Sequence, residues 1–143
     1  MPQSKGRLLA LDYGSRRIGM AVSDPLGITA QQLPPILREG DRKDIEAIAS
    51  VAEEYGVEAV VIGLPLLPDG AEGTQAAKAR RFGEKVSHRL GLPLLPWDER
   101  FTTVQAERHL ITAGVRRGKR KEVRDSLSAA FLLQSALDAR KRK

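Results

Sequence analysis

Asp12, the Asp98-Glu99 pair and Asp125 are the residues whose type and placement suggest chemistry. Asp12 closes the apolar run Arg7–Leu11, Asp98-Glu99 follows the run Leu92–Trp97, and Asp125 precedes a long apolar segment. Ligand sites of α/β sheets form at such strand ends. If the strands are neighbours and the last segment packs across them, the acids converge. Converging carboxylates repel one another, and a hard divalent cation such as Mg²⁺ or Mn²⁺ relieves that repulsion through oxygen ligands. Two such ions about 3.5–4 Å apart are suited to phosphodiester cleavage. Each acid also has a plain alternative. Asp12 can start a turn, Asp125 can cap a helix, and Asp98 and Glu99 can be solvated charges paired with Arg100.

Patterning supplies the elements that would position these acids. The runs Arg7–Asp12 and Ile18–Val22, joined by Tyr13-Gly14-Ser15-Arg16, predict a β-hairpin. Gly27–Leu37 predicts a third strand, confined to an edge by Pro34-Pro35. Ile45, Ile48, Ala49 and Ala52 recur at helical spacing within Asp41–Tyr55, with Gly56 as terminator. Val57–Ile62 reads as a strand buried on both faces, followed by a glycine-rich loop from Gly63 to Gly73. Thr74–Leu90 reads as a second helix with a basic face, stopped by Gly91, and Leu92–Trp97 as a short strand. A capping box at Thr102 and Gln105 predicts a helix to about Thr112. A basic loop then spans Ala113–Arg124, and a buried last helix runs from Asp125 to Lys141. The order β-β-β-α-β-α-β-α-α predicts an α/β domain, a mixed sheet with helices on both faces.

The bulk properties agree. A chain of 143 residues, 41% hydrophobic, builds one domain over residues 1–143, with residues 139–143 as a disordered basic tail. There is no cysteine, which excludes disulfides, thiolate metal sites and a Cys nucleophile. No signal peptide or membrane-length apolar run is present, so a cytoplasmic protein without a membrane partner is expected. The net charge of +6 favours a polyanionic partner. Arg116, Arg117, Lys119, Arg120 and Lys121 precede Asp125 in a glycine-containing loop, while Arg16, Arg17 and Arg100 flank the other acids. All eight are candidates for phosphate contacts. Aromatics are 4% of the chain, so backbone and shape recognition is expected rather than base stacking. Gly14 would allow a tight hairpin turn near Asp12, and Gly63 and Gly70 a close approach of backbone to ligand. His88 and His109 are expected at the surface.

The stretch from Leu9 to Asp24, LALDYGSRRIGMAVSD, resembles the opening signature of the YqgF/RuvX family. The resemblance continues at Gly63-Leu64-Pro65 with Asp69-Gly70, at Asp98-Glu99-Arg100 with Thr102-Thr103, and at Asp125-Ser126 with Ala129-Ala130. These four blocks stand in the family's order and span nearly the whole chain. One departure is Leu66-Leu67-Pro68, where a polar residue, often Asn, is expected before Asp-Gly. Family members are bacterial proteins described as pre-16S rRNA nucleases and as Holliday-junction-resolvase-like. The resemblance implies a ribonuclease H-like fold and a carboxylate-held centre of Mg²⁺ or Mn²⁺, two ions, with Asp12, Asp98 and Asp125 as catalytic ligands. Glu99 is the alternative to Asp98, because adjacent strand residues face opposite ways.

The implied activity is metal-dependent cleavage of structured RNA, foremost precursor ribosomal RNA, by a monomer or homodimer. Cleavage of branched DNA is the second expectation and suits a two-fold dimer. A nucleic-acid-binding module without catalysis is the competing class. A nucleotide-binding kinase-like protein would need a second such domain.

Overall fold

The alternating apolar runs pair into a five-stranded sheet in the order β3-β2-β1-β4-β5. The computed structural model describes residues 6–100, 114, 119 and 127–141. β1 (Leu8–Tyr13) and β2 (Arg17–Ser23) form the expected antiparallel hairpin, and β3 (Ala30–Leu37) pairs antiparallel with β2. β4 (Ala59–Leu64) runs parallel to β1, and β5 (Leu94–Asp98) parallel to β4. Pro34 and Pro35 lie on the edge strand, where their missing amides cost least, and the β2–β3 register shifts between Ile18 and Met20.

Helices cover both faces. α1 (Asp41–Tyr55) and α2 (Thr74–Leu90) close one side, each ended by a glycine in the left-handed region, Gly56 at φ 62° and Gly91 at φ 69°. α3 (Ser128–Lys141) closes the other, so residues 139–141, expected in a disordered tail, instead continue the helix. Strand alternation distributes β1 between the two cores. Leu9 and Leu11 pack with Ile48 of α1 and Phe82 of α2, whereas Leu8 and Ala10 pack with Leu132, Leu133 and Leu137 of α3. Ala129, Leu132, Leu133 and Leu137 are at most 1% exposed, which is the buried last helix that its composition predicts.

The end of β4 and the backbone of Lys119 differ from expectation. β4 continues through Gly63 and Leu64, because its pairing with β5 persists to Leu64 opposite Asp98. Gly63 is therefore a strand residue and not part of the following loop. Asp44, one turn before Ile48 and so beside the apolar stripe of α1, is 1% exposed. Its carboxylate accepts from Arg38 Nε at 2.7 Å and from the backbone amides of Glu39 and Gly40. Lys119, expected in a loop, has helical backbone and is exposed. The helix expected over Thr102–Thr112, most of the basic loop and Asp125 lie outside the described residues. Among the described residues, no helix is long and apolar enough to cross a membrane.

Candidate active site

The pleat of β1 sends Asp12 to the α3 side of the sheet, in phase with Leu8 and Ala10. Its neighbour across the hairpin is Gly19. A Cβ at Gly19 would lie 3.4 Å from Asp12 Cβ and 3.6 Å from Ala129 Cβ, so two minimal side chains let the first turn of α3 approach the sheet. From that turn Ser128 donates its hydroxyl to Asp12 Oδ2 at 2.5 Å.

β4 and β5 complete the wall. Gly63 pairs with Trp97, and Trp97 donates its indole N–H to Ser135 Oγ of α3 at 3.0 Å. Glu99 lies two residues beyond Trp97 and reaches over Gly63 on the same side. A Cβ on Gly63 would meet Glu99 Oε1 at 2.7 Å and Glu99 Cγ at 2.9 Å. The absent side chain of Gly63 is thus the slot that holds Glu99. The Glu99 carboxyl hydrogen-bonds Asp12. Burial, the charge of Asp12, that hydrogen bond and the charge of Asp98 push the Glu99 pKa up to about 8. At neutral pH Glu99 therefore holds a proton beside Asp12.

Asp98 does not take the place expected for it. It occupies the alternate phase of the pleat, opposite Leu64, and is held by Arg100. Arg100 donates from Nη2 at 2.6 Å, from Nε at 3.0 Å and from its backbone amide at 2.9 Å. Hydrogen bonding to Arg100 keeps the Asp98 carboxyl below the usual carboxylate range. Glu99, the alternative, is the acid that the structure brings to Asp12.

Arg100, expected at a phosphate, spends its guanidinium on Asp98 and on the carbonyls of Leu67 and Pro68. It thereby fastens the loop after β4 to the end of β5. The departure at Leu66-Leu67-Pro68 is accommodated because the fastening uses backbone oxygens, which any residue offers. Arg16 and Arg17 are exposed at the β1–β2 turn, and Lys119 is exposed. Arg116, Arg117, Arg120 and Lys121 fall outside the described residues, as do Asp125 and His109, while His88 is exposed. Gly14 is required by the hairpin itself, since a Cβ there would lie 2.6 Å from the Arg17 carbonyl oxygen.

Ser128 was not among the expected site residues. A serine in the first turn of a helix reads as ordinary capping chemistry, and nothing local reveals a bond across 116 residues.

The donor set suits a hard divalent cation. Two carboxylates sharing one proton form a like-charge pair that a cation can hold in place of that proton, and all the donors are oxygens. Among the described residues, no group of three or more His, Cys, Asp and Glu is assembled.

The chain matches, over residues 6–139, the model of the family described as "RuvX: Holliday junction resolvase". It belongs to that family. Its members are nucleases, hydrolases of phosphodiester bonds, and this chain is an enzyme of that class. It is 48% identical over 133 residues to a "Putative pre-16S rRNA nuclease" of Syntrophus aciditrophicus, covering 93% of this chain and 89% of that protein. It is also 48% identical over 135 residues to the protein of the same description from Koribacter versatilis, covering 94% and 88%. Among solved structures it resembles Thermus thermophilus RuvC in complex with a Holliday junction substrate, at a TM-score of 0.63 and 14% identity over 96% of this chain and 97% of that one. A second T. thermophilus RuvC structure matches at a TM-score of 0.54 and 18% identity, covering 94% and 96%. At these identities the likeness concerns the fold, which is ribonuclease H-like.

Proposed function

We propose that the chain is an endonuclease of ribosomal RNA precursors that works with Mg²⁺ or Mn²⁺, two ions in the complete site. Asp12 and Glu99 are the ligands among the described residues, and Asp125 is assigned to the same centre from the sequence. The observation that carries this reading is the pairing of Asp12 with a raised Glu99 at the C-terminal ends of three parallel strands. When bound there, a divalent cation supplies charge for the phosphoryl oxygens and acidifies water.

The chain's own residues prepare that site. Ser128 fixes one oxygen of Asp12, and the slot over Gly63 confines Glu99. Glu99 must release its proton before both carboxylates can serve as ligands, so cation binding competes with protonation. Arg16, Arg17 and Lys119, with Arg116, Arg117, Arg120 and Lys121, are assigned to the phosphate backbone by charge and position. Among the described residues, Trp97 is engaged with Ser135 and Tyr13 packs against Phe82 at 4.8 Å. That favours recognition of backbone and shape over base stacking.

Precursor ribosomal RNA is preferred because relatives at 48% identity carry that description. Such a substrate implies a cytoplasmic protein. Branched DNA is the second reading, favoured by the family's own description, and would suit a homodimer making paired cuts.

The test is cleavage of precursor ribosomal RNA, single-stranded RNA, duplex DNA and four-way junctions, with Mg²⁺, Mn²⁺ or EDTA. Wild type is compared with Asp12→Asn, Glu99→Gln and Asp98→Asn. Metal-dependent cutting of the precursor RNA is expected, lost in the first two variants and retained in the third. Cutting confined to junctions would transfer the proposal to branched DNA. Equal cutting by wild type and Asp12→Asn would refute the metal site.

A further inference from the structure

We propose that Ser128 is a positioning residue, which sets the plane of the Asp12 carboxylate and so the affinity of the site for its cation. The proposal rests on the metal-nuclease reading above and deepens it. A serine in the first turn of a helix ordinarily turns its oxygen to a backbone amide of that turn. Here its hydroxyl is donated to Asp12 Oδ2 at the end of β1. The terminal torsion of an Asp side chain is broad, so an unrestrained carboxylate samples many orientations. One short charge-assisted hydrogen bond selects among them and leaves the remaining lone pairs of Asp12 toward Glu99.

The hydroxyl is itself held. Ala129, with no exposure, packs beside Gly19 and seats the first turn of α3 against the hairpin. The Ala130 amide donates to Gln32 Oε1 at 2.9 Å. Farther along the helix, Gln134 Oε1 accepts from the Ala30 amide at 3.0 Å. These bonds to the edge strand fix how far α3 slides along the sheet. Hydrogen bonds to metal-ligating side chains commonly govern affinity, and their loss weakens binding roughly 10- to 100-fold.

Three substitutions separate positioning from packing. Ser128→Ala removes the hydroxyl, Ser128→Thr keeps it, and Ser128→Val matches Thr in shape without it. Mn²⁺ affinity of the purified full chain is measured by calorimetry, and thermal midpoints are recorded in EDTA. Ala and Val are expected to bind Mn²⁺ roughly 10-fold more weakly than wild type, with Thr close to wild type. Equal affinity of Thr and Val, or weakening in proportion to a lowered midpoint in all three, would overturn the proposal. Asp12→Asn is run alongside. If wild type binds no Mn²⁺, or Asp12→Asn binds as wild type does, the metal site itself is refuted, and the role of Ser128 falls with it.

Discussion

The Asp12–Glu99 pair makes the metal-free protein lose stability as pH rises, and Glu99→Gln is the perturbation that exposes this. The Glu99 carboxyl titrates near 4.5 when unfolded and is raised to about 8 in the fold. Between those values the folded state holds a proton that the unfolded state has released. Stability therefore falls with increasing pH, at most by about 1.4 kcal/mol per unit for one proton. Over the whole interval that amounts to at most about 4–5 kcal/mol. Glu99 retains some solvent contact and the pair can relax once both groups ionise, so a realised loss of about 2–3 kcal/mol is expected.

Urea unfolding in EDTA at half-unit steps from pH 5.5 to 8.5 measures the slope. The lowered carboxyls Asp24, Asp44 and Asp98 titrate below that range and contribute little to it. In Glu99→Gln an amide replaces the protonated carboxyl beside Asp12, and this component of the slope disappears. Asp12→Asn removes the neighbouring charge but not the burial, so the decline ends at lower pH and the variant is more stable than wild type at pH 8. Adding Mg²⁺ should reverse the wild-type trend, because the cation binds the ionised pair. If wild type and Glu99→Gln have parallel profiles in EDTA, the shared-proton account of the site is wrong.

Gly63→Ala would drive a methyl group to 2.7 Å from Glu99 Oε1. It should cost about 1–3 kcal/mol and abolish cleavage. Gly56→Ala, strained only by its φ of 62° with nothing within 4 Å, should cost about 1–2 kcal/mol and leave cleavage intact; melting curves and cleavage assays read both. Arg38→Ala leaves the Asp44 carboxylate, 1% exposed, without its cation, and urea unfolding at pH 7 should show a loss of about 3–5 kcal/mol. Burial would raise the Asp44 pKa, but the Glu39 amide and Arg38 hold it below its ordinary value of 3.8, so its contribution is present at neutral pH and disappears as pH falls through the lowered value. Arg100→Gln should speed hydrogen exchange in the loop after β4 while leaving the salt dependence of substrate binding unchanged. A decrease of about one in that salt slope would instead mark Arg100 as a phosphate contact.

The strands, the α1 and α2 boundaries and their glycine stops were legible because they depend on neighbours a few residues away: apolar period, turn residues and caps. Asp12 was legible for the same reason, as an acid at the end of an apolar run inside a recognisable motif. The choice between Asp98 and Glu99 was not. Alternation says that adjacent residues face opposite ways, but which of them faces Asp12 depends on the pairing of Gly63 with Trp97. That is a register between strands, invisible to local pattern. Gly63 read as a loop glycine and is instead the slot for Glu99, since its demand comes from a side chain 36 positions later. Local pattern left Arg100 as a phosphate contact or a partner of Asp98-Glu99, and only the fold brings the carbonyls of Leu67 and Pro68 to its guanidinium. The hydroxyl of Ser128 finds Asp12 only because α3 packs back across the first strand. Composition and spacing thus specified the parts and their order along the chain, while pleat phase, strand register and helix docking decided which side chains meet.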